Sequence, residues 1–286
     1  MNQPSMNHAN VHFLPDDENE NNEVQQSVVK NADEVKKNKK KTSEMLPLPP
    51  SIELHGLQIG VDEAGRGAFA FDVVTAAVVL PSEIPEAFRD PAHMKLIAMI
   101  KDSKKMTPKQ REKCADFIEK FALYYGIASA SPEEIDEHNI LKATMLAMHR
   151  AIDIVIDKIR QNEEDDKKYV QLLIDGDRFY PYFDTEKRII VPFSRILEGD
   201  AIHMNIAAAS ILAKVHRDRR VTEICKEQPD LDEKYGFMSN KAYGTKKHMN
   251  GLIQHGISRY HRISYAPVKK YNRIRVLQQT SSVVIN

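Results

Sequence analysis

Cysteine is scarce, long apolar runs are missing and net charge cancels, and each shortage narrows what this chain can be. Only Cys114 and Cys225 occur among 286 residues. Two thiols so far apart build neither a disulfide framework nor a four-ligand zinc site, and they fit a reducing compartment as inert, partly buried groups. The 11 histidines show no zinc-ligand spacing. No run of about 18 apolar residues occurs, so no membrane-spanning helix is expected. Residues 1–12 are polar and rich in asparagine, without the apolar stretch of a secretory leader. The expected location is the cytoplasm, or the nucleus for a eukaryotic source.

What is present is ordinary for a globular protein, with 42% hydrophobic and 29% charged residues. The length suffices for one large domain or two small ones. Lys and Arg balance Asp and Glu at 41 each, but unevenly along the chain. Residues 1–50 hold 6 Lys against 8 Asp and Glu, whereas residues 200–286 hold 15 Lys and Arg against 7 acids. A basic final third suits a polyanion such as nucleic acid, although a solvated face has the same composition. Residues 1–50 read as a disordered N-terminal extension, too polar to offset the entropy of ordering. The cluster Lys36, Lys37, Lys39, Lys40 and Lys41 reads equally as a nuclear signal, a nucleic-acid tail or a linker. Prolines in residues 46–50 mark a boundary, and ordered structure is expected from Leu57.

Apolar runs at residues 57–61 and 72–80 flank a glycine-containing turn and predict two antiparallel strands. Helices are expected over 85–100, from Thr107-Pro108 to Ala122, over 139–160, 202–225 and 246–254. Leu141, Met145, Met148, Ile152 and Val155 share one face of the third, where methionine packs a core. Further strands are expected at 123–130, 169–174 and 189–192. This succession predicts an α/β fold with a mixed central sheet flanked by helices and a C-terminal helical segment.

Four carboxylates stand out by position. Asp62 and Glu63 close the first strand, Asp175 closes a later buried strand, and Asp200 precedes an alanine-rich helix. Strand ends are where such sheets expose functional groups. If these ends converge, the acids repel one another, and a divalent cation is the usual remedy. Oxygen-only ligands suit Mg2+ or Mn2+, and two such ions can drive phosphodiester hydrolysis. The plainer reading makes the acids turn or cap residues, with Asp200 the strongest candidate for a cap. Gly65-Arg66-Gly67 follows at once, either an ordinary hairpin turn or a backbone that approaches a ligand closely.

Gly60-Val61-Asp62-Glu63-Ala64-Gly65-Arg66-Gly67 resembles the opening motif of ribonuclease HII, and other segments agree in order. Asp102-Ser103-Lys104-Lys105 resembles the family's DSKK, residues 135–140 its IDELNI, and Ile174-Asp175-Gly176-Asp177-Arg178 its VDGNR. Gly199-Asp200 resembles the end of KGD, and residues 207–215 resemble SAASILAKV. Residues 235–237 and 241–245 resemble YGF and KGYGT, and residues 261–267 resemble HRRSFAP. The similarity spans residues 57–268, leaving 269–286 as a C-terminal tail. It implies a ribonuclease H-like fold and hydrolysis of the RNA strand of RNA–DNA hybrids, single embedded ribonucleotides included, 5′ to the ribonucleotide. The products would be a 3′-hydroxyl and a 5′-phosphate. It implies catalysis and binding of two Mn2+ or Mg2+ ions by Asp62, Glu63, Asp175 and Asp200. Sensing of the ribose 2′-hydroxyl would fall to Gly65, Arg66, Gly67 and Tyr243, and phosphate binding to Ser103, Lys104, Lys105 and Lys214. The plainer reading of those lysines is a solvated surface.

Departures accompany the resemblance. Phe69 and Phe71 stand where the family has small residues, which predicts altered substrate fit. Asp177 and Glu198 replace Asn and Lys, adding negative charge and predicting altered metal affinity. Arg66 and the disordered N-terminal extension argue against ribonuclease HIII, which carries a GKG turn and an N-terminal platform domain. The four acids argue against an inactive hybrid-binding module, and Arg66 with Tyr243 against a generic nuclease or transposase of this fold. The expected partners are RNA–DNA hybrid and ribonucleotide-containing DNA. A lone chain is expected, without a membrane and without a sliding-clamp peptide around Gln278-Gln279-Thr280.

Overall fold

The computed structural model describes residues 56–100 and 106–272, all within the second of two units that divide the chain between Leu46 and Pro47. Strand β1 spans Gly56–Ala64 and β2 spans Val73–Val79. Every residue of β2 is buried, which is why its sequence runs apolar instead of alternating. Helices α1, Pro91–Ile100, and α2, Pro108–Phe121, follow. The single helix expected over 85–100 is divided, because Pro91 disfavours helical backbone at Asp90. A 3-10 turn at Glu86–Phe88 precedes α1. Thr107 and Gln110 exchange side-chain and backbone hydrogen bonds in a capping box that starts α2.

Strand β3, Tyr124–Ala130, leads into α3, Pro132–His138, and α4, Ile140–Arg160. A short α5, Glu163–Asp166, precedes β4, Tyr169–Asp175. Strands β5, Phe183–Asp184, and β6, Ile189–Ile190, form a separate two-stranded ribbon, and β7, Phe193–Ile196, returns to the main sheet. The strand expected at 189–192 is therefore only part of that ribbon, and β7 went unforeseen. Helices α6, Met204–Glu227, α7, Pro229–Tyr235, α8, Phe237–Asn240, and α9, Lys246–His255, complete the order, with residues 266–272 helical again.

The main sheet runs β3-β2-β1-β4-β7. β1 pairs antiparallel with β2 and β2 with β3, while β1 with β4 and β4 with β7 are parallel. One face packs on α4, where Met145, Met148, Ile152 and Val155 meet Ile59, Val61, Leu172 and Ile174. The other packs on α2 and α6, through Phe117, Ile118, Ala207, Ala208 and Ile211. Each large aliphatic or aromatic side chain so buried contributes about 1.5–3 kcal/mol before entropy is counted. Gly60 lets α6 close onto β1: a Cβ there would stand 2.2 Å from the Asn205 carbonyl carbon. A third cluster joins Ala68, Ala70 and Phe71 to Val221, Tyr235, Phe237 and Leu252, tying the segment after β1 to the C-terminal helices. Among the described residues, no helix is long and apolar enough to cross a membrane.

Candidate active site

Asp62 and Glu63 sit near the end of β1, and β4 beside it ends on Asp175. Asp62 is 6% exposed and faces α6, where the Ser210 hydroxyl hydrogen-bonds its carboxylate. The Glu63 N–H also donates to Asp62 Oδ1 at 2.6 Å. Burial, then the charges of Glu63 and Asp175, push the Asp62 carboxyl well above its ordinary pKa. Glu63 is raised as well, mainly by burial and further by Asp175, against the opposing pull of Arg66, whose Nη1 lies 3.1 Å from Glu63 Oε1. Asp175 is held by the Gly199 N–H, which donates to its Oδ1 at 2.7 Å.

Asp200 lies in a 3-10 turn at Gly199–Ala201 and is 6% exposed. It does not cap α6, whose N-cap is His203 and carries no side-chain cap bond. Glu63 and Asp200 line one cleft of about 340 Å³, together with Arg66, Arg111, Lys214 and Tyr243. The donor set is oxygen throughout. Among the described residues, no three His, Cys, Asp or Glu side chains already stand at metal-holding spacing.

The turn after β1 is fixed from behind. Gly65 has φ +96°, and a Cβ there would stand 2.1 Å from Arg217 Nε. Arg262 donates to the Gly65 and Arg66 carbonyls at 2.8 and 3.1 Å, and the Tyr265 hydroxyl also donates to Arg66 O. Across the cleft, Tyr243 is 38% exposed, with the Arg217 guanidinium 5.5 Å and Lys214 Nζ 5.9 Å from its ring centre. Its carbonyl meets His248 Nδ1 at 3.1 Å, and His248 Nε2 meets His261 Nε2 at 3.0 Å. His261 Nδ1 accepts from the Ser258 N–H, so the network assigns His261 Nε2 as donor to His248 and His248 Nδ1 as donor to Tyr243.

The structure thus gathers Asp62, Glu63, Asp175, Asp200, Gly65, Arg66, Gly67, Tyr243 and Lys214 around one region. Lys214 pairs with Asp218 at 2.8 Å. Ser103, Lys104 and Lys105 lie outside the described residues, as does the segment around Gln278. Phe71 is 3% exposed and packs on Phe237 and Tyr260, turned into the core rather than toward the cleft. Phe69 fills the space beside Gly244. Asp177 and Glu198 are exposed. Ser210, Arg111, Arg217 and Arg262 escaped the sequence reading as functional residues. Ser210 and Arg262 lie inside quoted motifs, which was the available signal, whereas arginines on helices read as solvated. A larger cleft of about 500 Å³, between α7 and α9, carries only the Asp230–Lys234 pair and isolated polar groups.

The family model described as Ribonuclease HII matches residues 59–268. Ribonuclease HII of Bacteroides thetaiotaomicron is 39% identical over 218 residues, covering 76% of this chain and 94% of that protein. The ribonuclease H2 of Pyrococcus horikoshii superposes with a TM-score of 0.56 at 22% identity, covering 77% of this chain and 99% of its own. Bst-RNase HIII, solved in complex with Mn2+, gives 0.53 at 17% identity, covering 82% of this chain and 75% of its own. At those identities the two structures speak for the fold.

Proposed function

The chain belongs to the ribonuclease HII family and is a ribonuclease H acting on the RNA strand of RNA–DNA hybrids, and from that premise we propose that Asp62, Glu63, Asp175 and Asp200 form its catalytic and metal-binding centre. The observation that carries this reading is the meeting of Asp62, Glu63 and Asp175, whose charges act on one another at the ends of β1 and β4, with Asp200, which lines with Glu63 a cleft bordered by Gly65-Arg66-Gly67 and Tyr243. Acids whose pKa values are raised by burial and further by neighbouring acids, as those of Asp62 and Glu63 are, mark functional sites. Their all-oxygen donor set fits Mg2+ or Mn2+, the cation in the RNase HIII relative's crystal. Two such ions would compensate the acids' charge and polarise the phosphodiester.

This chain's own groups do the rest. The Gly199 N–H and the Ser210 hydroxyl orient Asp175 and Asp62. The carbonyls of Gly65 and Arg66 are already engaged by Arg262, and no acceptor among the described residues pairs with the backbone N–H groups of Arg66 and Gly67. Those donors suit an oxygen of the substrate, and the ribose 2′-hydroxyl is the oxygen that separates RNA from DNA. Tyr243 offers a ring face to the sugar, and Lys214 and Arg111 offer charge to phosphates. Ser103, Lys104 and Lys105 extend that phosphate-binding role. Hydrolysis joins a water oxygen to phosphorus and breaks the bond to the preceding 3′-oxygen, which takes a proton. The 5′-phosphate stays on the ribonucleotide. Single ribonucleotides in duplex DNA are substrates, and the enzyme works as a lone intracellular chain in replication or repair.

The test is a labelled DNA duplex with one embedded ribonucleotide, incubated with Mg2+ or Mn2+ beside an all-DNA control. Cutting of the first duplex alone, lost in chelator and in Asp62→Asn, is expected. Binding without cutting in either metal would replace this reading with that of an inactive hybrid-binding module.

A further inference from the structure

Among the described residues, Arg217 and Arg262 lie wholly inside the protein, and no carboxylate is among their hydrogen-bond partners. Arg217, on α6, is 1% exposed and Arg262 is 0% exposed. Arg217 donates to the carbonyls of Asp72, Ala70 and Lys241 at 3.2, 3.3 and 3.0 Å. Arg262 donates to the carbonyls of Phe71, Gly65 and Arg66 at 2.8, 2.8 and 3.1 Å, and to the Tyr265 hydroxyl at 3.0 Å. Its Nη2 is buried with no partner among the described residues. A buried guanidinium without an ion-pair partner is costly, and packing alone would be met better by an apolar side chain of similar volume. Burial draws both groups below their ordinary pKa.

What the two side chains share is the segment 65–72 and its neighbour across the cleft. Gly65 lacks a side chain in the space where Arg217 lies. The Gly65 carbonyl takes a bond from Ala68 N–H besides that from Arg262, so both lone pairs are spent inward. The Arg66 carbonyl is likewise taken twice, by Arg262 and Tyr265. Arg217 then reaches the other wall, through the Lys241 carbonyl and the underside of the Tyr243 ring. One buried side chain therefore spans both parts of the proposed sugar-sensing surface, and the second fixes which polar groups the turn has left to offer.

We infer that Arg217 and Arg262 are positioning residues for sugar discrimination: from inside the protein, touching no substrate, they set the 65–67 turn and Tyr243 so that a ribose is preferred over a deoxyribose. The inference rests on the reading that this turn senses the 2′-hydroxyl. In the cleavage-silenced Asp62→Asn protein, affinity is measured by fluorescence anisotropy for two duplexes that differ only in one 2′-hydroxyl. The ratio of the two dissociation constants is the readout, because loss of folded protein alone does not change it. Arg217→Lys and Arg262→Lys, added singly, keep the charge and lose the fork of donors. Each is expected to lower the ratio about tenfold, the effect of misplacing one or two polar contacts, while binding to all-DNA changes less than about twofold. Should either lysine variant fail to melt cooperatively, Tyr265→Phe removes one hydroxyl only and is expected to lower the ratio about threefold. A ribonucleotide preference that survives unchanged in the folded variants overturns this inference alone. No preference in Asp62→Asn itself overturns both it and the reading beneath it.

Discussion

Asp62 is a carboxylate whose placement opposes the fold that holds it. Its pKa rises well above the ordinary 3.8 on folding, because burial and the charges of Glu63 and Asp175 disfavour the ionised form. Between the unfolded and folded values the native protein holds the extra proton, so this group's contribution to stability falls as pH rises through that window. Above it the penalty remains in full. In chelator near neutral pH, Asp62→Asn should therefore raise the melting temperature, on the order of 2–4 °C for each kcal/mol relieved. Calorimetry checks this, and a lower melting temperature in the variant would show the charge to be already compensated. The strand-end placement of Asp62, Glu63 and Asp175 was legible in the sequence, whereas Asp200, ahead of its helix, read equally as a cap. Arg217 was not legible, since a helix arginine carries no mark of the two carbonyl-lined loops that fold around it. Phe71 misled for a related reason: its φ of +65° turns the ring into the C-terminal cluster, and no residue pattern announces that turn.

At the level of elements, the starts of the longer helices were legible where a side chain caps the backbone, whereas the four-residue α5 was not foreseen although Asn162 caps it. Thr107 and Thr245 each accept a first-turn N–H at the position the sequence suggested or close to it, and Ser131 does the same for α3. Asn139 is the sharpest case, accepting from the N–H groups of Leu141 and Lys142 while holding φ +69° and ψ 162°, a region that glycine alone enters freely. Asn139→Ala loses the cap and keeps the strain, and should cost about 1–2 kcal/mol in urea unfolding. Asn139→Gly loses the cap but relieves the strain, and should lie within about 0.5 kcal/mol of the parent. Equal losses in the two variants would contradict the strain assigned here. The short elements were illegible. β7 is a four-residue edge strand containing Ser194 and Arg195, with too few alternations to register. The β5–β6 ribbon has two residues per strand.

For the whole molecule, the C-terminal helices work as a buttress that the sheet's sequence could not foretell. Ala242 and Tyr260 bond to the backbone of Phe69 and Phe71, and the His248–His261 pair links the Tyr243 carbonyl to the segment bearing Arg262. Burial lowers His149, His203 and His248, and takes His261 to about 3. The unfolded chain binds these protons near pH 6.5 and the folded one does not, so their stability contribution is whole above that pH and fades as it falls toward 3. Between pH 7.5 and 4.5 the raised carboxyls such as Asp62 act in the opposite sense, so the readout is the difference between two melting curves: the parent should lose stability relative to His261→Asn as pH falls. Parallel curves for parent and variant would place the sensitivity elsewhere.

Discrimination between ribose and deoxyribose turns on one atom, and the most direct test changes only that atom. Single-turnover cleavage is followed on two duplexes of one sequence, identical but for a 2′-hydroxyl at one position, with the products sized to the nucleotide and their ends identified chemically. A single cut 5′ to the ribonucleotide, leaving 3′-hydroxyl and 5′-phosphate ends and absent from the deoxy duplex, is the predicted result. Cutting of both duplexes, or at several phosphodiesters around the site, would contradict it.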